Sequence, residues 1–149
     1  MTSKYMLDTN ICIYLMKHQP PEVRARFDQC FVGDVVISAI TLAELEFGVA
    51  CSGESQSKNQ DALDSFLEDI VVAPFEAIAA RTYGPLRTAH RERNKNALDK
   101  LIASHALALN FTLVTNNASD FLYFDELRVE NWVNNHLSLI HISEPTRPY

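Results

Sequence analysis

A chain of 149 residues, 47% hydrophobic and 21% charged, is long enough for one domain with a substantial core, and its composition excludes a disordered or fibrous protein. A formal charge of −6 excludes a protein that coats nucleic acid by bulk electrostatics. The apolar runs are strand-sized and the N-terminus has no hydrophobic signal region, which predicts a cytoplasmic protein without a membrane span.

Tyr5-Met6-Leu7 predicts a short apolar strand, followed by a helix from about Ile11 to Lys17. Pro20 and Pro21 predict the opening of a second helix running through Phe31, because proline is tolerated in a first turn. Val35-Val36-Ile37-Ser38 is a β-branched run that predicts a buried strand. Thr41 to Cys51 predicts a helix with Leu42, Leu45 and Val49 on one face. A polar loop, Ser52 to Asn59, then leads to an amphipathic helix carrying Leu63, Phe66 and Leu67. Ile70-Val71-Val72 predicts a strand and Glu76 to about Arg93 a long helix. Residues 97 to 109 form a nearly all-apolar helix, Phe111 to Thr115 a strand, and Leu127-Arg128-Val129 a last short strand.

Strands alternating with helices predict a three-layer α/β/α fold on a mostly parallel sheet. Sites in such folds form beyond the carboxyl ends of the strands. Asp8, the Ser38 to Glu44 segment and the Asn116 to Asp120 segment all follow strand ends. Each acid also has a structural use. Asp8 can cap the following helix, Glu44 can close a capping box with Thr41, and Asp120 can close a turn.

Asp99 differs, because it is the one acid between Ala97 and Leu109, a helix apolar over most of its circumference. A lone buried carboxylate costs several kcal/mol, and a helix N-terminus returns only about 0.3–1 kcal/mol. Carboxylates that converge without cations need protons or hard metal ions. That predicts a Mg²⁺ or Mn²⁺ site at Asp8, Glu44, Asp99 and Asp120, with phosphodiester chemistry. Thr9, Ser38 and Asn116 are candidates to orient the carboxylates by hydrogen bonding. His105 is expected to be a satisfied structural histidine, and Trp132 a core or edge plug.

Arg81, Arg87, Arg91, Arg93, Lys95 and Lys100 place 6 of the 13 Lys and Arg residues in one twenty-residue stretch around His90. Beside Asp99, Arg91, Arg93, Lys95 and Lys100 are candidates for a phosphate-gripping rim; the alternative is a solvated helix face. Cys12, Cys30 and Cys51 are odd in number and widely spaced, which predicts reduced, packing thiols rather than a zinc site. There is no phosphate-cradling glycine loop, no G-x-S-x-G elbow and no C-x-x-C.

The four acidic segments, Met6-Leu7-Asp8-Thr9-Asn10, Ile37-Ser38-Ala39-Ile40-Thr41-Leu42-Ala43-Glu44, Asp99-Lys100-Leu101-Ile102-Ala103-Ser104-His105-Ala106 and Leu113-Val114-Thr115-Asn116-Asn117 with Asp120-Phe121, resemble those of PIN-domain ribonucleases. The resemblance is closer still to the VapC toxins of bacterial toxin–antitoxin pairs, and it runs from about Tyr5 to Trp132. It implies a Mg²⁺- or Mn²⁺-dependent endoribonuclease with Asp8, Glu44, Asp99 and Asp120 as its acidic quartet. It further implies a VapB-like antitoxin that inserts a chain end into the acidic groove, and toxin homodimers within larger complexes. The implied substrate is tRNA, with the anticodon stem-loop of initiator tRNA as the first expectation.

One departure is the stretch from Arg93 to Leu98, which lacks the glycine that members often carry before the third acid. The rival functions are a non-enzymatic PIN-like interaction module and a metal-dependent nuclease of structured DNA. Leu137 to Arg147 resembles the translation of a transposon-type sequencing adapter, which predicts a nuclease domain over residues 1–136 and a non-native tail over 137–149.

Overall fold

The computed structural model describes residues 4–31, 33–90, 97–121, 124 and 126–133. Five short strands, β1 (Tyr5–Leu7), β2 (Val35–Ser38), β3 (Val71–Ala73), β4 (Thr112–Val114) and β5 (Val129–Glu130), form a sheet in the order β3-β2-β1-β4-β5. All four strand pairs are parallel, with Met6 opposite Val36 and Leu113, and Leu7 opposite Val114. Six helices connect them: α1 (Thr9–Lys17), α2 (Pro21–Asp28), α3 (Ala39–Ala50), α4 (Gln56–Leu67), α5 (Ala77–Ala89) and α6 (Ala97–Leu109).

The period of two along each strand divides the core. Leu7, Val35, Ile37 and Val114 face one way and pack with Ile11 and Leu15 of α1, Leu45 of α3 and Leu63 of α4. Met6, Val36 and Leu113 face the other way, against Leu86 of α5 and Ile102, Ala103 and Ala106 of α6. This is the three-layer architecture that alternating strands and helices predict. Full burial of a side chain such as Leu7 or Leu113 contributes roughly 1.5–3 kcal/mol, so both layers are held mainly by this packing.

Helix ends differ from expectation for identifiable reasons. α3 starts at Ala39 because the Ser38 Oγ accepts the Ile40 N–H at 3.0 Å. The expected capping box from Thr41 to Glu44 therefore falls inside the helix, where the buried Thr41 Oγ1 has no hydrogen-bond partner among the described residues. The expected loop from Ser52 to Asn59 instead folds as a 3₁₀ turn, Gly53–Ser55, and the first turn of α4. α2 stops at Asp28, short of Phe31. Trp132 is buried: its Nε1 donates to Glu130 Oε1 at 3.1 Å, and its ring meets Tyr5 edge-on at 5.5 Å. The tail assigned to 137–149 lies outside the described residues.

From β1 the chain winds outward through β2 and β3, then returns to β4 on β1's other side. The strand order thus reverses between β1 and β4. Diverging crossovers leave a crevice beyond the carboxyl ends of these two strands.

Candidate active site

Asp8 is the first residue after β1. Its backbone N–H reaches Val114 O at 3.0 Å, and its Oδ1 caps α1 by accepting the Ile11 N–H at 3.0 Å. Only 8% of the residue is exposed, and burial pushes the carboxyl up to about 6. Hydrogen bonds from the Thr115 side chain and the Ile11 N–H oppose that rise, while the charge of Glu44 adds to it. The capping role and the site role coexist, because capping occupies one carboxylate oxygen.

Glu44 lies at the middle of α3, half-buried, and accepts a hydrogen bond from Thr9 Oγ1 at 2.5 Å. Asp99 lies in the first turn of α6. It is not sunk in an apolar helix as predicted, because Ala97 and Leu98 are exposed and Asp99 itself is half-buried where α6 emerges at the crevice. Its carboxyl is nevertheless pushed up to about 7, first by burial and then by the charges of Asp8, Glu44 and Asp120. Asp120 is exposed on a short 3₁₀ turn, Ala118–Phe121, after β4. Four acids from four separate segments thus act on one another.

Asp8, Glu44 and Asp99 share an open cleft of about 910 Å³, which Phe47 and Phe121 also line. Among the described residues no three acids already stand together as a metal cage. The donor chemistry still fits a hard divalent cation. Every candidate ligand is a carboxylate oxygen, and two carboxyls are raised by burial and mutual repulsion, which a cation would relieve.

The expected orienting residues divide. Thr9 touches a carboxylate directly. Ser38 is engaged beside them: its Oγ caps α3 and lies 2.8 Å from His105 Nδ1. Asn116 accepts from Asn10 Nδ2 at 3.3 Å and donates to the Tyr14 hydroxyl at 3.1 Å, tying the loop after β4 to α1. Thr115, fully buried, is the orienting residue that sequence reasoning missed. Its Oγ1 also accepts the Asn117 N–H at 3.0 Å, so it shapes the turn as well. The signal was its place at the end of a strand, but no local rule reveals that this strand pairs with β1.

His105 is 1% exposed, packs edge-on against Phe75 at 5.1 Å, and is held below its ordinary pKa by burial. It is a core histidine. Lys100 is a correction. Only 3% of it is exposed and, among the described residues, its Nζ has no hydrogen-bond partner, so it stands inside the fold rather than on an open rim. The helical period explains this: Lys100 sits one residue past Asp99 and turns toward the α5–α6 interior. Arg91, Arg93 and Lys95, and the glycine-free stretch before Leu98, lie outside the described residues apart from Ala97 and Leu98. No helix among the described residues is long and apolar enough to cross a membrane.

The PIN domain family model matches residues 5–127. Ribonuclease VapC2 of Rickettsia felis is 40% identical over 131 residues, covering 86% of this chain and 97% of that protein. The tRNA(fMet)-specific endonuclease VapC of Shigella flexneri is 37% identical over 131 residues, covering 87% and 98%. Among solved structures, DNA-bound VapBC from Salmonella typhimurium superposes with a TM-score of 0.80 at 32% identity, covering 88% of this chain and 99% of that one. VapBC2 from Rickettsia felis, bound to a DNA fragment from its promoter, gives 0.79 at 40% identity, covering 86% and 98%.

Proposed function

This chain belongs to the PIN-domain family, among its VapC members, and on that premise we propose that it is a Mg²⁺- or Mn²⁺-dependent endoribonuclease, the toxin of a toxin–antitoxin pair. The observation that carries the reading is geometric: Asp8, Glu44 and Asp99, from three separate segments, line one cleft, and the carboxyl of Asp99 is raised first by burial and then by the charges of Asp8, Glu44 and Asp120. Asp8, Glu44 and Asp99 would hold the cation, with Asp120 completing the set. When bound, the ion supplies water activation and offsets negative charge growing on the phosphodiester oxygens.

The remaining work belongs to the chain itself. Thr115 and the Ile11 N–H favour the ionised form of Asp8. Thr9 holds Glu44 in one orientation. Arg91, Arg93 and Lys95 would position the RNA backbone without reading its sequence.

The substrate is tRNA, with the anticodon stem-loop of initiator tRNA as the first choice; the name of the Shigella relative supports it. Exposed loop bases suit protein recognition better than a closed A-form groove. The partner is a VapB-like antitoxin, supported by the relatives solved as VapBC complexes, and the working toxin is a cytoplasmic homodimer within such a complex.

The test is cleavage of a total tRNA pool by antitoxin-free protein, with Mg²⁺, with EDTA, and with Asp8→Asn or Asp99→Asn. One discrete cut that needs the metal and both acids is expected, on RNA and not on DNA of matched sequence. Retained cutting by either folded variant overturns the assignment.

A further inference from the structure

The cleft that holds the acids has a second wall of different chemistry. On α3, Ile40, Ala43, Glu44 and Phe47 line it, with Cys51 just past the helix end, a stripe with helical spacing along one side of the crevice. Phe47 lies three residues from Glu44, about 4.5 Å further along the helix axis. It is 70% exposed. Among the described residues no other ring stands against Phe47. Leu98, on the opposite helix beside Asp99, lines the same cleft and is also exposed.

An exposed phenyl ring held against water within one turn of a metal-binding carboxylate asks for a ligand with two unlike ends. One end must suit a cation held by carboxylates, and the other must present a flat apolar face. A nucleotide has both, as a phosphate and a base. We propose that Phe47 is the stacking platform for one unpaired nucleobase next to the scissile phosphate, so that the cleft selects nucleotides splayed out of a helix. Every base offers a π-face, so this subsite reads unstacking rather than identity. Asn59 and Asn117 line the same cleft and supply polar groups within it for the edge of such a base. The inference rests on the ribonuclease reading above and names the form of RNA that this site takes.

The experiment compares a fluorescein-labelled oligouridylate with a strand of equal length and charge built from abasic ribose phosphates. Binding is measured with Mg²⁺ in the Asp8→Asn chain, which prevents cutting, with Phe47 intact, as Phe47→Ala and as Phe47→Tyr. Phe47→Ala is expected to weaken the oligouridylate about tenfold or more and to leave the abasic strand unchanged. Phe47→Tyr retains the flat ring and is expected to restore the difference. Equal affinities of Phe47→Ala and Phe47 for the oligouridylate overturn the proposal. Equal losses on both strands overturn it too, since the ring would then act only on the shape of the site.

Sedimentation of the same variants covers the other occupants. If Phe47→Ala dissociates a dimer and base discrimination persists, the ring belongs to an interface between copies and the proposal fails. Cleavage by the otherwise wild-type chain separates the two readings. An inert wild-type chain brings down the ribonuclease reading and the subsite together. An active one whose base discrimination ignores Phe47 brings down the subsite alone.

Discussion

Thr9 Oγ1 donates to Glu44 Oε1 at 2.5 Å across 35 residues of sequence, joining the first turn of α1 to the middle of α3. Asp8 lies at the cap of the same first turn, so one short segment presents one acid and orients another. Thr9→Val keeps the side-chain shape and removes the donor, which leaves Glu44 free to take other rotamers. The Mg²⁺ concentration for half-maximal cleavage is expected to rise roughly 10–100-fold, with Thr9→Ser close to wild type. A Mg²⁺ titration with an unchanged midpoint would sink this role.

The raised carboxyls dictate the sign of the pH dependence. Asp8 and Asp99 have an ordinary value of 3.8 and reach about 6 and about 7 in the fold. A raised acid binds its proton more tightly folded than unfolded, so its stabilising contribution is full at low pH and is lost as pH rises from about 4 to about 7. Without metal, Asp8 alone opposes folding at pH 8 by up to about 3 kcal/mol. Asp8→Asn keeps an oxygen for the Ile11 N–H but carries no charge. In EDTA at pH 8 it is expected to resist urea better than wild type, and Mg²⁺ should stabilise wild type more than the variant. A wild-type chain more stable than Asp8→Asn in EDTA would contradict the electrostatic account.

Ser38 links two acid-bearing helices through its contacts with the Ile40 N–H of α3 and the ring of His105 on α6. Ser38→Ala removes the cap and leaves His105 Nδ1 without its partner. A loss of about 1–3 kcal/mol in urea-induced unfolding is expected. A loss below a few tenths would mean that water replaces both bonds.

Lys100 is buried with its Nζ unpartnered among the described residues, and burial, followed by the charge of Arg87, holds its pKa below the ordinary 10.5. A lowered amine favours the neutral form in the fold, so its penalty is full at neutral pH and fades as pH rises toward 10.5. Lys100→Met keeps the apolar stem and is expected to stabilise the chain by about 1–3 kcal/mol at pH 7. The salt dependence of RNA binding should not change, because a residue that touches no phosphate releases no counterion. A shallower salt slope in Lys100→Met would return this lysine to the RNA interface.

The architecture was legible along the chain, and so were the four acids as candidates, because both stand out in local pattern. The β-branched run at Val35–Ile37 and the apolar run at Leu113–Val114, separated by amphipathic helices, leave few alternatives to a parallel sheet covered on both faces. Asp8, Glu44, Asp99 and Asp120 sit beside those runs, and a charge near a core demands a reason. Pairing across the sheet and rotation about a helix are not local. That Thr115 serves Asp8 follows from β4 lying beside β1, a neighbourhood set by the reversal of strand order. That Lys100 is buried while Asp99, one residue before it, lines the cleft depends on how α6 is rotated against the rest of the fold. Composition and period determined the layers and singled out the acids that are candidates for the chemistry. The tertiary packing alone decided their partners, since a hydrogen bond depends on the direction and distance of both groups and a sequence specifies neither.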